Sequence, residues 1–145
     1  MIQPVLSSAV DAALAAGRPV VALESTIFSH LGLPSPHNAE ALDRCLAAVR
    51  GAGAVPALTA VLDGVARVGV DPSEHERVLG PARKAASRDL PVAVAQGWEF
   101  GATTVSASVA LAAATLVLIA FREEDTLTLD NSLRRGSRAE NGARM

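Results

Sequence analysis

Glu24 follows directly on the apolar run Pro19-Val20-Val21-Ala22-Leu23 and precedes Ser25-Thr26. A carboxylate placed there is costly to desolvate unless it is paired or used. Partial burial would suit it to proton transfer; a strand-end glutamate that faces water needs no such role. Lys84 is the sole lysine, since arginine supplies twelve of the thirteen basic residues. Its ammonium group can pair with phosphate as a point charge or, with its pKa depressed, form a Schiff base; on an open surface it does neither. Gly101-Ala102-Thr103-Thr104-Val105 sets a glycine and two hydroxyls ahead of an apolar helix. Free N–H groups, hydroxyl donors and the helix dipole make an anion pocket there, while plain capping by Thr103 or Thr104 requires no ligand. Thr26, Ser29, His30 and His37 form a polar loop. Two histidines alone are too few for a metal site, and a nucleophile pair of Ser25 or Ser29 with His30 lacks a Gly-x-Ser-x-Gly elbow.

These residues need a scaffold, and its elements are legible. Val5 to Ala16 reads as a helix ending at Gly17. Pro19 to Leu23 reads as a buried strand, which puts Glu24-Ser25-Thr26 where open α/β sheets keep their sites. Ser29 to Pro36 is a loop. Asn38 can cap a helix that runs to Arg50 with Ala41, Leu42, Cys45, Leu46 and Val49 on one face. Val55 to Leu62 and Val65 to Val70 form a hairpin about Asp63-Gly64. Asp71-Pro72-Ser73-Glu74 starts a short helix that stops near Gly80-Pro81. Lys84 falls in a connecting stretch, Arg88 to Gln96 forms a further helix, and a long helix of small residues begins near Val105. This order predicts a layered α/β fold.

Composition narrows the classes. A chain of 145 residues suggests one domain, and 50% apolar residues exclude a disordered chain. A net charge of −2 and a pI near 5.9 argue against a broad basic face for nucleic acid. The single cysteine, Cys45, excludes a disulfide scaffold and a cysteine-based zinc site. Met1-Ile2-Gln3-Pro4 has no basic flank leading into an apolar core, so no signal peptide is expected and the predicted location is the cytoplasm. Only Phe28, Trp98, Phe100 and Phe121 are aromatic; alanine and valine supply most of the core, which predicts modest stability. The 17-residue run Val105 to Phe121 is at the short limit of a membrane span and is interrupted by Ser106, Ser108 and Thr115. A buried helix followed by a strand-like Leu116 to Ile119 is the expected reading, with no membrane partner. Ten of the 24 residues in 122–145 are charged, which predicts a disordered tail after a domain over 1–121.

Several motifs occur together in colinear order: Val20-Val21-Ala22-Leu23-Glu24-Ser25-Thr26-Ile27, Ser29-His30, Pro34-x-Pro36-x-Asn38, Gly53-Ala54-Val55-Pro56-Ala57, Asp63-Gly64, Val68-Gly69, Lys84-x-x-Ser87-Arg88-Asp89-Leu90-Pro91 and Gly101-Ala102-Thr103-Thr104-Val105. Over about residues 1–115 this pattern resembles the pseudouridine-5′-phosphate glycosidases, also called the indigoidine synthase A-like family. Ser29-His30-Leu31-Gly32 carries one residue more than the commoner Ser-His-Gly form. The resemblance implies an α/β/α core, a homotrimer, a divalent metal (usually manganese) and reversible cleavage of the C–C glycosidic bond of pseudouridine 5′-phosphate to uracil and ribose 5-phosphate. Such enzymes group with the carbon–oxygen lyases and serve nucleotide catabolism. It further implies Glu24 as proton donor, with substrate contacts from Lys84 and from Val105 through its backbone; Thr103 and Thr104 would help hold the sugar phosphate. In the family the ribose ring opens and C1′ is trapped as an imine on a second lysine, which makes the uracil carbon able to leave.

After Ala114 the sequence leaves that pattern. The family's Gly-Gly-Ile-Gly-Gly-Val-His-Arg stretch, its metal-binding aspartate, its imine-forming lysine and a later asparagine have no counterpart. The expectation is an N-terminal portion of the family domain followed by an unrelated polar tail, as a truncated gene or a shifted reading frame would give, with impaired turnover. A non-catalytic module for sugar-phosphate binding or subunit assembly is the alternative, and a chain too incomplete to fold cooperatively is a third.

Overall fold

The computed structural model describes residues 2–116. The expectations for Leu116 to Ile119 as a strand and for the tail 122–145 fall wholly or largely outside them; Leu116 itself is helical. Six strands and five helices are described: β1 (Val5–Leu6), α1 (Ser8–Ala15), β2 (Val20–Leu23), α2 (His37–Gly51), β3 (Val55–Leu62), β4 (Val65–Val68), α3 (His75–Val78), β5 (Arg83–Ala85), α4 (Leu90–Ala95), β6 (Phe100–Thr103) and α5 over 105–116.

The sheet runs β1-β4-β3-β6-β5, with β2 paired to β3. Alternation along β3 builds the two faces. Ala57 and Val61 join Val10 of α1, Ala93 of α4 and Ala107 and Leu111 of α5 on one side. Leu58, Ala60 and Leu62 join Phe28 of the turn after β2, Leu42 and Leu46 of α2, and Val78 of α3 on the other. The result is the expected α/β/α layering.

Three elements differ from the sequence reading. Val5–Leu6 pairs parallel with Arg67–Val68, so the first helix starts later, where the Ser7 hydroxyl accepts the Val10 N–H at 3.3 Å. Lys84 lies in strand β5, parallel to β6, rather than in a connection. Gly101-Ala102-Thr103 belongs to β6 rather than to a helix start. Gly101 pairs with Val61 of β3 and Arg83 of β5, and a side chain is disfavoured at this strand position because a Cβ there would stand 3.2 Å from Val61 Cβ and 3.4 Å from the Trp98 ring. The hairpin is as read, with Asp63 and Gly64 both at positive φ. Asn38 does not cap α2. It is buried in the family-like motif, and its Nδ2 donates to the carbonyls of Phe28 (3.0 Å) and Leu79 (3.1 Å), tying the loop to α3.

Gly69 has φ +91° and donates its N–H to the Leu58 carbonyl at 2.9 Å, extending the β3–β4 ladder. A Cβ there would collide with the Ser7 hydroxyl and with Val10 Cγ2. Gly69→Ala is therefore expected to lower stability by about 2 kcal/mol, from left-handed backbone strain and overpacking; urea unfolding of both proteins measures it.

At the hairpin tip Arg77 grips Asp63 through two bonds of 2.9 Å. Hydrogen bonding and the charge of Arg77 hold the Asp63 carboxyl below its ordinary range. A depressed carboxylate pKa contributes stability above the unfolded-state value and loses it as pH falls through the folded-state value. Asp63→Asn should lower stability slightly at neutral pH, where the carboxylate is ionised, and leave it unchanged in strong acid, so that the acid limb below about pH 4 becomes shallower; the effect is small because the pair is exposed.

Candidate active site

β2 and β6 lie along the same edge of β3 but run in opposite senses. β2 pairs with residues 55–58, and β6 pairs with residues 60–62. Their C-terminal ends therefore meet head-on at Thr59. There the Ser25 N–H donates to the Thr103 carbonyl at 3.2 Å, and the Thr103 N–H donates to Ser25 Oγ at 2.9 Å. Four buried hydroxyls close the joint: Ser25 to Thr103 at 3.0 Å, Thr103 to Thr59 at 2.8 Å and Thr59 to Ser108 at 2.8 Å. Each hydroxyl has one proton to give. One self-consistent direction runs from Ser25 to Thr103 to Thr59, with Ser108 also donating to Thr59 and Thr59 donating to the Leu23 carbonyl at 3.0 Å. Glu24 thus has both neighbours pinned, Leu23 by its carbonyl and Ser25 by its amide.

The Glu24 side chain is half-buried and makes no hydrogen bond among the described residues. It lines an open groove of ≈ 360 Å³ with Ala22, Leu23, Val105, Ser108, Val109 and Ala112. A fixed strand end thus presents an unpaired carboxylate to an apolar wall, an arrangement suited to proton transfer within a partly desolvated site.

The sequence-predicted residues divide around this groove. Glu24 and Val105 face it together. Thr103 is fully buried and does not line the groove; its hydroxyl is committed to the joint, which reaches the groove through Ser108. Thr104 sits between β6 and α5; its carbonyl accepts the Ser108 N–H at 2.9 Å, and its hydroxyl meets Ser106 Oγ at 3.1 Å rather than capping the helix. Lys84 is exposed and does not line the groove. Its register with Ala102 places it on the α2/α3 face of the sheet, whereas Thr103, Ser108 and the groove lie on the α5 face. A ligand reaches both Glu24 and Lys84 only across the C-terminal ends of β5 and β6. Thr26 bridges toward that edge, its hydroxyl donating to the Thr103 carbonyl at 2.8 Å.

The alternative chemistries are not assembled. Ser29 Oγ is buried and donates to the Thr26 carbonyl, and His30 bonds neither serine through its ring. His37 pairs with Glu40 at 3.4 Å on the surface. Among the described residues no three His, Cys, Asp or Glu side chains come together to hold a metal ion. They therefore do not fit the manganese that the resemblance implies. No described helix is long and apolar enough to cross a membrane.

Thr59 and Ser108 were not singled out by sequence. The available signal was slight: Thr59 is the only polar residue in Val55–Leu62, and Ser108 stands four residues after Thr104. Ser87-Arg88-Asp89-Leu90-Pro91 also acquires a structural reading. Asp89 accepts the Ala86 N–H at 2.9 Å, and Pro91 lies in the first turn of α4.

Three layers around a mixed sheet, with an acid-bearing groove where two strand ends meet, define a layered α/β domain with a site at its sheet edge. The chain belongs to the indigoidine synthase A like family, which matches residues 9–120. It is 57% identical over 113 residues to a pseudouridine-5′-phosphate glycosidase of Streptomyces griseus, covering 77% of this chain and 34% of that protein. It is 56% identical over 100 residues to the protein of that name from Rhodospirillum centenum, covering 68% and 31%. Among solved structures it is similar to the prealnumycin C-glycosynthase AlnA in complex with ribulose 5-phosphate (39% identity, TM-score 0.61, 76% of this chain and 35% of that one). It is also similar to an indigoidine synthase A-like protein from Thermotoga maritima (36% identity, TM-score 0.59, 66% and 32%). The chain spans about a third of the length of these relatives.

Proposed function

We propose that this chain carries the proton-donor part of a pseudouridine-5′-phosphate glycosidase, a lyase of nucleotide catabolism. The observation that supports it best is Glu24, fixed at a strand end by the hydroxyl joint and facing the groove beside Val105. In the overall reaction the C1′–C5 bond breaks, water supplies the new oxygen at C1′, and C5 of the released uracil takes a proton. Glu24 delivers that proton. Lys84 holds the phosphate across the strand ends, with Thr104 beside it at the end of β6 and Thr103, buried in the joint, supporting the site from beneath. A sugar phosphate as ligand accords with the ribulose 5-phosphate bound by AlnA. Homotrimer assembly belongs to the same reading. No step is assigned to manganese, for which the described residues offer no ligand set.

The 145 residues contain no second lysine. With Lys84 on the phosphate, no lysine amine is left among them to trap C1′. Purified chain incubated with pseudouridine 5′-phosphate and manganese should therefore release uracil on the order of 10³-fold or more slowly than a full-length relative. Release at the relative's rate would contradict this. Calorimetry with ribose 5-phosphate should show binding that Lys84→Ala weakens by about tenfold. An unchanged heat signal removes Lys84 from the site.

A further inference from the structure

The groove has one wall. α5 buries Ala107 and Leu111 in the core and turns Ser108 to the joint. Its other side carries Val105, Val109, Ala112 and Leu116, at the spacing of one helical stripe. Val105, Val109 and Leu116 are 64%, 62% and 66% exposed. Beside the stripe, β2 pairs only with β3, so that among the described residues its other edge is unpaired, and all four of its residues are apolar. A parallel strand of that composition is ordinarily covered, and an open apolar edge recruits another chain. The stripe and the edge are contiguous, since Ala22 and Leu23 share the groove with Val105, Val109 and Ala112. About two-thirds of each relative's length has no counterpart here, although the matched third is more than half identical to the Streptomyces griseus protein.

We infer that the α5 stripe and the open edge of β2 form a docking surface for the C-terminal two-thirds of the family fold. That portion buries Val105, Val109 and Leu116 and closes the groove over Glu24. The surface is a seam within the family domain, and it accepts that portion when it is supplied as a separate polypeptide. This inference rests on family membership and on the exposed stripe, not on the proposed reaction.

The test is co-expression of the tagged 145-residue chain with the part of the Streptomyces griseus relative that follows its matched region. The expected result is a soluble one-to-one complex. Val109→Glu should weaken it on the order of a hundredfold, since a charge would be buried at the centre of the contact. Val92→Glu alters a comparably exposed valine on α4 and should leave the complex intact. Thermal melts of both variants without the partner should match the parent, because both sites are on the surface. A fragment that stays insoluble beside the chain, one that is soluble but passes unbound, or binding unaffected by Val109→Glu overturns the inference. So does self-association of the chain through the stripe in place of the complex. Uracil release by the complex is read separately. A complex that forms but releases none counts against the proposed function and leaves the docking surface standing.

Discussion

Thr103→Val is expected to destabilise the chain by about 3 kcal/mol, because it removes a buried hydroxyl whose partners stay buried. Ser25 Oγ loses its acceptor at 3.0 Å, and the Thr59 hydroxyl oxygen loses its Thr103 donor at 2.8 Å. The Ser25 N–H keeps only the Thr103 carbonyl. The side chain keeps its shape, so packing does not confuse the comparison. Thr104→Val should change stability by no more than about 0.5 kcal/mol, since its hydroxyl meets only Ser106 at the surface. Urea unfolding of the two variants separates the roles that their adjacency conceals. Equal effects would show that the joint does not hold the strand ends together.

Glu24→Gln carries the largest functional effect. In a graft of residues 1–114 of this chain onto the remaining two-thirds of the Streptomyces griseus relative, the parent graft should release uracil. The Gln variant should be slower by about 10²- to 10⁴-fold, the range for losing a positioned general acid or base. Its fold should be unaffected, because Glu24 makes no hydrogen bond among the described residues. The loss should appear in kcat rather than KM, since a proton donor acts in the transition state.

The sheet was legible where the chain is strongly patterned. Val20–Leu23 and Val55–Leu62 are continuous apolar runs, and Asp63-Gly64 supplies the turn that hairpins prefer. β5 and β6 were not legible, because their spans are three and four residues and contain Lys84 and Gly101. Their strand character comes from pairing to each other and to β3, a tertiary effect that local propensity does not carry. For the same reason Lys84 read as part of a connection, and the face it occupies could not be read from sequence. Glu24 was legible as a polar residue ending a buried run. The joint beneath it was not, because Ser25, Thr59 and the Thr103–Ser108 segment are far apart in the chain and meet only when β2 and β6 abut. Asn38 shows the converse case: its position suggested a helix cap, and packing between the loop and α3 claimed its amide instead.

The structure of the graft with ribose 5-phosphate bound tests the central claim most directly. The sugar should lie in the groove of Val105 and Val109, with the Glu24 carboxylate within about 3.5 Å of the C1′ region and the phosphate toward Lys84. A sugar phosphate seated elsewhere, with Glu24 facing bulk water, would contradict the account.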